Sequence, residues 1–103
     1  MWAQLIKMRA KPGREQELMV MHERIQALEE PGSGLLRTMI GWDQKDPQAS
    51  YVLVVFESEE KAREREQNPR RQQAMSTVLS GMADVLEGPP EFVDLTVEQD
   101  VTP

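Results

Sequence analysis

Several residue types that commonly carry chemistry are missing or scarce in this chain. It has 103 residues, no cysteine and one histidine, with only two tryptophans, two phenylalanines and one tyrosine. Without cysteine there can be no disulfide, no thiolate metal site and no cysteine nucleophile. One histidine among scattered carboxylates gives no recognisable spacing of metal ligands. The sequence therefore predicts neither a metal site nor thiolate chemistry.

Long apolar runs and net positive charge are also missing. No apolar run approaches the ~20 residues that a membrane-spanning helix needs, and the N-terminus lacks the basic-then-apolar pattern of a signal peptide. The formal net charge of -6 disfavours binding to nucleic acid or to anionic membranes. No glycine-rich phosphate loop, nucleophile elbow or HExxH motif occurs. We therefore expect a cytoplasmic protein with neither a nucleic-acid nor a membrane partner.

The most informative segment is SYVLVVFESEEKAREREQNP, at residues 50–69. Its first half, Tyr51 to Phe56, is an unbroken apolar run rich in β-branched and aromatic residues, which is typical of a central strand covered on both faces. Ser58 can cap a helix whose first turn is acidic, where carboxylates favour the positive helix end. The segment therefore predicts a central strand followed by a charged helix over 59–67.

Alternating and helical patterns predict the remaining elements, with turns rich in proline and glycine between them. These elements are strands over 2–10, 35–42 and 92–97 and helices over 14–30 and 70–86. The order predicts an α+β fold of the ferredoxin-like βαββαβ type, in which helices cover one face of a four-stranded antiparallel sheet. We expect residues 1–103 to form one domain, with residues 98–103 as a C-terminal arm.

The sheet face that the helices would leave open also carries apolar residues. In Tyr51 to Phe56 both alternate sets of side chains are largely apolar. An exposed patch of this kind usually marks a protein interface. Two sheets are therefore expected to pack face to face in a homodimer.

Two stretches, WAQLIKMRAKPGREQEL at 2–18 and VVFESEEKAREREQNPRRQQAM at 54–75, resemble the antibiotic biosynthesis monooxygenase superfamily. The resemblance implies a dimeric α/β barrel of two ferredoxin-like subunits, each with a pocket between its sheet and its helices. It also implies a cofactor-free monooxygenase acting on a small electron-rich aromatic such as a phenol, quinol or anthrone. A related branch degrades haem with an Asn, a Trp and a His, but Ile6, Arg65 and Met75 occupy those places here, so haem degradation is not expected.

His22 and Arg37 are the candidate catalytic residues. His22 is the only side chain with an unperturbed pKa near neutrality, and its role would be proton transfer with a bound phenol. The alternative is a half-buried boundary histidine at the edge of the first helix's apolar stripe. Arg37 would stabilise a phenolate or an enolate. It differs in parity from Trp42, so the two would share a sheet face only if a bulge near Gly41 intervened.

Aromatic and methionine side chains are the candidates for binding the substrate. Trp42 and Tyr51 suit a flat, hydroxylated aromatic ligand. Met39, Met75 and Met82 are expected to be buried, where their flexible side chains can line an adaptable hydrophobic pocket. The alternatives are an interface role for Trp42 and ordinary gap filling for the methionines.

A pair of arginines, Arg70 and Arg71, stands directly after Pro69 at a predicted helix start. The positive end of a helix is an unfavourable place for cations, which leaves room for an anionic partner. The preceding segment ESEEKARERE alternates in sign at helical spacing, which is typical of a solvated helix face.

A second functional interpretation is a non-catalytic homodimer that binds a hydrophobic small molecule or serves as an interaction module. It predicts a filled or purely apolar space beneath the helices, with His22 facing solvent. The monooxygenase interpretation instead predicts a pocket that contains His22 or Arg37.

Overall fold

A computed structural model describes residues 1–103 and contains the predicted elements in the predicted order. The strands are β1 (Trp2–Arg9), β2 (Leu35–Trp42), β3 (Ala49–Phe56) and β4 (Glu91–Thr96), and the helices are α1 (Glu15–Gln26), α2 (Glu59–Gln67) and α3 (Pro69–Val85). All strand pairings are antiparallel, in the order β2-β3-β1-β4. The predicted ferredoxin-like α+β fold is therefore confirmed, and β3 is an interior strand as expected.

Side-chain caps explain where the second and third helices begin. The backbone amide of Lys61 donates to Ser58 Oγ at 3.1 Å, as expected for a helix cap. The amide of Arg70 donates to Asn68 Oδ1 at 3.0 Å. Pro69 occupies the first position of α3, where its missing amide hydrogen costs no helical hydrogen bond. The Asn68-Pro69 step therefore separates α2 from α3, as the sequence predicted.

The first helix is shorter than the predicted span of 14–30. It ends at Gln26, and the amides of Leu28 and Glu29 donate to carbonyls three residues back, those of Ile25 and Gln26. Bonds of this spacing tighten the end of a helix and satisfy carbonyls that would otherwise lack partners. The chain therefore leaves α1 before it reaches the proline-glycine turn that was expected to end the helix.

The helices are short and closely packed on one another. The longest, α3, has 17 residues, and none of the three is long and apolar enough to cross a membrane. A Cβ added at Gly81 of α3 would lie 3.3 Å from Met21 Cε of α1. This glycine therefore marks a close approach of two helices.

The core lies between the helices and one face of the sheet. Met8 of β1 packs with Leu18 of α1 and Met82 of α3 in the larger buried cluster. Trp2 and Phe56 form a second cluster with Ala62 of α2. We call this side of the sheet the covered face, and the even-numbered residues of β1 and β3 belong to it.

The other side of the sheet, which we call the open face, consists of the odd-numbered residues of β1 and β3 and their partners on β2 and β4. One row of apolar side chains crosses all four strands there: Met39 pairs with Leu53, Leu53 with Leu5, and Leu5 with Val93. Met39 is 54% exposed. The expectation that Met39 is buried is therefore wrong for the single chain, because its strand turns this residue away from the helices.

A β-bulge at Leu36 changes the pattern of faces along β2. Leu35 and Arg37 pair with adjacent residues of β3, so Leu36 is an extra residue between them. Leu35 consequently belongs to the covered face and Arg37 to the open face. The register is regular from Arg37 to the end of the strand, so the bulge considered near Gly41 does not occur.

Candidate functional site

An apolar cavity of about 380 Å³ lies between the covered face and the helices. Of its 22 lining residues, 13 are hydrophobic, which makes its walls apolar in character. They include Ile6, Val52 and Val54 from the sheet and Met75, Leu79 and Met82 from α3. This volume is within the range of roughly 300–1,000 Å³ that is common for small-molecule sites. The cavity therefore has the size and surface for a small, largely apolar ligand.

His22 is a buried polar side chain on the helix side of this cavity. It comes four residues after the fully buried Leu18 on α1, so the two share the stripe that faces the sheet. The side chain is 4% exposed, and its Nε2 atom has no hydrogen-bond partner. Burial lowers the pKa of His22, because apolar surroundings disfavour the imidazolium. The ring is therefore neutral at pH 7 and is neither half-buried nor solvent-facing.

The charged end of the cavity is formed by Arg65 of α2 and Arg71 of α3. Arg65 donates to Glu29 through two nitrogens, with Nη2 and Oε1 2.6 Å apart, and its guanidinium lies 5.1 Å from the Phe56 ring centroid. Burial opposes ionisation of Glu29, but hydrogen bonds from Arg65 and Ser33 and the charges of both arginines outweigh it. The pKa of Glu29 consequently lies below its usual value.

Arg71 is the second cation at this end, and its side chain is only 11% exposed. Its nearest carboxylate oxygen belongs to Glu29, at 3.8 Å. Burial lowers the pKa of Arg71, and the charge of Arg65 adds to the effect, although an arginine keeps its charge in proteins. A smaller polar cleft of about 190 Å³ is also lined by these three residues. Arg65, Arg71 and Glu29 thus stand between the apolar cavity and the surface cleft.

Three of the seven predicted site residues line the cavity, namely His22, Met75 and Met82. Trp42 belongs to the covered face but packs against the buried cluster around Met8 instead of lining the cavity. The remaining three are on the open face: Arg37, Met39 and Tyr51.

The open-face position of Arg37 and Tyr51 separates them from His22 within one chain. Arg37 was predicted to stabilise a substrate anion and Tyr51 to contact the ring, but neither lines the cavity. The cause is the alternation of side chains along the strands, together with the bulge at Leu36. Tyr51 instead has the Lys7 ammonium 5.8 Å from its ring centroid. The structure therefore does not bring the two predicted catalytic residues together.

Arg65 and Glu29 are site residues that were not predicted from the sequence. Arg65 lies in the alternating charged segment that was expected to be solvated, yet its side chain is only 15% exposed. A usable signal was the spacing of Arg65 from Ala62, since residues three apart share a helix face and Ala62 is buried. Arg71, in contrast, was noted for its unfavourable place at a helix start.

The cavity lining contains few side chains of the types that ligate a metal ion or a haem iron. No group of three or more histidine, aspartate or glutamate side chains could hold a metal. The three positions compared with the haem branch, Ile6, Arg65 and Met75, all line the cavity. Among them only the methionine sulfur is a known type of haem ligand. The residues that line the cavity therefore do not form a recognisable ligand set for a metal centre.

The buried histidine predicts a pH dependence of stability. Because the pKa of His22 is lower in the folded chain, the unfolded chain binds more protons as the pH falls below about 6.5. The free energy of unfolding is therefore expected to be highest above pH 7 and to decline towards pH 5. The decline amounts to about 1.4 kcal/mol for each unit by which the pKa is lowered. Urea unfolding of the wild type and of His22→Gln at several pH values measures this.

The variant His22→Gln is the control for this predicted pH dependence. The lowered pKa values of Glu17, Glu29 and Asp94 have their effect mainly below about pH 5, because these carboxylates remain largely ionised in the unfolded chain above it. His22 is the only histidine. Between pH 5 and 7 the stability of His22→Gln should therefore be nearly flat. An equal decline in both proteins would show that His22 is not the buried neutral group described above.

Comparison with known proteins identifies the fold. No family model matches the sequence, and no curated protein matches it. In contrast, 67 chains of solved structures match. Protein Rv0793 of Mycobacterium tuberculosis has a TM-score of 0.77 at 12% identity, with 98% of each chain covered. The NE2512 protein of unknown function from Nitrosomonas europaea has a TM-score of 0.76 at 22% identity, covering 99% of this chain and 93% of that one.

A third solved structure carries the name of the superfamily that the sequence resembles. It is an antibiotic biosynthesis monooxygenase with a TM-score of 0.72 at 13% identity, and both chains are covered completely. The predicted resemblance to this superfamily is thereby confirmed at the level of the fold. The chain has the ferredoxin-like α+β fold of the antibiotic biosynthesis monooxygenases, with an apolar cavity between its two layers.

Proposed function

We propose that this protein is a cytoplasmic, cofactor-free monooxygenase that acts on a small electron-rich aromatic such as a phenol, quinol or anthrone. The proposal rests on the placement of one neutral histidine nitrogen, without a hydrogen-bond partner, in a largely apolar cavity. Removal of a proton from the substrate by a positioned base is the first step that such an oxidation requires. The fold shared with an antibiotic biosynthesis monooxygenase supports the same activity by analogy.

In the proposed reaction, His22 Nε2 takes the acidic proton of the bound substrate. The resulting anion carries its charge on oxygen and on a ring carbon, and this carbon passes electrons to O₂ and bonds to it. The imidazolium returns its proton to the peroxide, and loss of water leaves a carbonyl. One oxygen atom of O₂ enters the product and the other leaves in water. The substrate supplies all the electrons, so the proposal includes no cofactor.

Oxygen uptake with anthrone or 1,4-dihydroxynaphthalene tests this proposal. The enzyme-dependent rate of His22→Gln is expected to fall about 100-fold or more, because general-base catalysis commonly contributes about 10²–10⁴-fold. Thr38→Val alters another polar residue of the cavity wall and is expected to keep most of the rate. No enzyme-dependent uptake with either substrate or with 1,4-dihydroxy-2-naphthoate would contradict the monooxygenase. An unchanged rate in His22→Gln would show that His22 is not the base.

The second candidate is a non-catalytic protein that binds a hydrophobic small molecule. The apolar walls of the cavity favour this candidate as much as they favour the monooxygenase. The non-catalytic candidate predicted a solvent-facing His22, whereas the side chain is 4% exposed. The same experiment separates the two candidates. Binding of the quinol without any oxygen uptake would favour the non-catalytic protein.

We also propose that two copies pair through their open faces. Beside the row that contains Leu53, the next row places Val55, Ala3 and Leu95 across three strands. Apolar surface that crosses a whole sheet is typical of an interface. Residues 97–103 form no helix or strand, and Val101 is 77% exposed, so this segment is available as an arm towards the partner.

A further inference from the structure

Arg71 is a nearly buried cation that makes no hydrogen bond. Its side chain is 11% exposed, and its closest carboxylate oxygen, on Glu29, is 3.8 Å away. Arg65 donates three hydrogen bonds to that same carboxylate, at 2.6 to 3.1 Å. A guanidinium has five N–H donors, and those of Arg71 have no acceptor within the chain. Arg71 therefore has unused capacity to bind an anion.

The other carboxylates near Arg71 are engaged with different arginines. Glu30 accepts from Arg70 at 3.2 Å. Glu66, which also lines the cavity, accepts from Arg63 at 3.3 Å. The negative charges around Arg71 are thus each held by another cation.

The position of Arg71 on α3 makes its charge still less favourable. It lies in the first turn of the helix, which contains no acidic residue. The positive helix end and the neighbouring Arg65 both repel a cation there. Arg71 is attracted only by carboxylates that already bind other arginines. A negatively charged ligand would be attracted by the helix end, by Arg65 and by Arg71 itself.

The spacing of residues along α3 connects Arg71 with the apolar part of the cavity. Arg71, Met75 and Leu79 follow one another at intervals of four residues, and all three line the cavity. Residues at this spacing share one helix face, so the stripe extends over about 12 Å. On α1, His22 and Gln26 line the same cavity at the same spacing. A ligand held at Arg71 therefore extends along Met75 into the chamber that contains His22.

We propose that the substrate of this cavity is an aromatic carboxylate, whose carboxylate binds the Arg71 guanidinium while its ring occupies the apolar chamber beside His22. The inference deepens the proposed function and rests on the same cavity. Arginine suits this role because its planar fork matches both oxygens of a carboxylate. Arg65 remains bound to Glu29 and fixes the wall against which the carboxylate rests.

Two quinols that differ only in a carboxylate provide the test. Binding of 1,4-dihydroxy-2-naphthoate and of 1,4-dihydroxynaphthalene is measured by calorimetry under nitrogen, so that neither is oxidised. The wild type is expected to bind the carboxylate about 10- to 100-fold more tightly, as hydrogen bonds between charged groups allow. In Arg71→Gln this preference should disappear, with the affinity for the uncharged quinol unchanged.

Arg70→Gln is the matched control, because Arg70 is the adjacent arginine but is 79% exposed and bound to Glu30. It should keep the preference. Arg71→Gln is expected to unfold at the same temperature as the wild type or higher, since it removes a buried charge. Equal binding of the two quinols by the wild type, no binding of either, or a preference that persists in Arg71→Gln would each overturn the inference.

The binding result is independent of turnover. A carboxylate preference that depends on Arg71, found without oxygen uptake in air, would support the anion site and contradict the proposed monooxygenase activity. Oxygen uptake without such a preference would support the monooxygenase and overturn the anion site.

Discussion

Leu53→Lys is expected to convert the proposed dimer into a monomer with the chain mass of 11.8 kDa. Leu53 is on the interior strand β3 and pairs with Met39 on one side and Leu5 on the other, at the middle of the open face. Two open faces packed together would remove one lysine ammonium from water in each copy. An unpaired buried ion costs several kcal/mol, so the dissociation constant should rise by about 100-fold or more. Sedimentation velocity over a range of concentrations measures the change.

Leu79→Lys is the control for this experiment. Leu79 is an apolar residue that is 51% exposed on α3, on the opposite side of the sheet from Leu53. A lysine there should leave the oligomeric state unchanged. Leu53 is partly exposed in the single chain, so Leu53→Lys should keep its circular dichroism spectrum. A wild type that is monomeric at all concentrations, or a Leu53→Lys variant that remains dimeric, would contradict pairing through the open face.

The order of elements could be predicted because each has a strong local signal. The apolar run from Tyr51 to Phe56 has the composition of an interior strand, and Ser58 has the cap position that fixes the start of α2. Pro69 both ends one helix and opens the next. Such signals depend on a few neighbouring residues and on their backbone preferences. They can therefore be recognised in the sequence when the tertiary contacts are unknown.

The face to which a residue belongs could not be predicted on β2. Leu35 and Leu36 are identical in chemistry, and either fits an apolar surface. The bulge is a property of the pairing between β2 and β3, which places Leu36 between two consecutive partners. Simple alternation would place Leu35 and Arg37 on the same face, whereas the bulge places them on opposite faces. Arg37 follows the bulge, and its distance from the cavity is a consequence of that pairing.

The cavity itself depends on how the helices rest on the sheet. Periodicity places His22 at the edge of the apolar stripe of α1, but it does not give the height or rotation of the helix above the strands. Packing of Leu18 against Met8 and Met82 sets that position and buries His22. The burial of Arg65 likewise follows from the contact of α2 with Phe56. The burial of His22 and the burial of Arg65 therefore cannot be predicted from the spacing of residues along a single helix.

Val54→Phe is expected to abolish binding of quinols in the cavity without unfolding the protein. Val54 is on the covered face and lines the cavity. A phenyl ring at this position would occupy the space that the substrate ring needs, so we expect the affinity to fall about 100-fold or more, equivalent to roughly 2.7 kcal/mol or more. The free energy of unfolding should be unchanged or higher, because the added ring buries apolar surface in space that is already empty. Calorimetry and urea unfolding measure the two effects.

Val55→Phe makes the same change one residue further along β3, where the side chain belongs to the open face. Because successive residues of a strand point to opposite faces, this variant adds the same ring without entering the cavity. It should bind the quinol like the wild type. Similar losses of affinity in both variants would show that the effect is not steric occupation of the cavity. Undiminished binding in Val54→Phe would place the ligand elsewhere on the protein, and the role of His22 and Arg71 would have to be rejected with it.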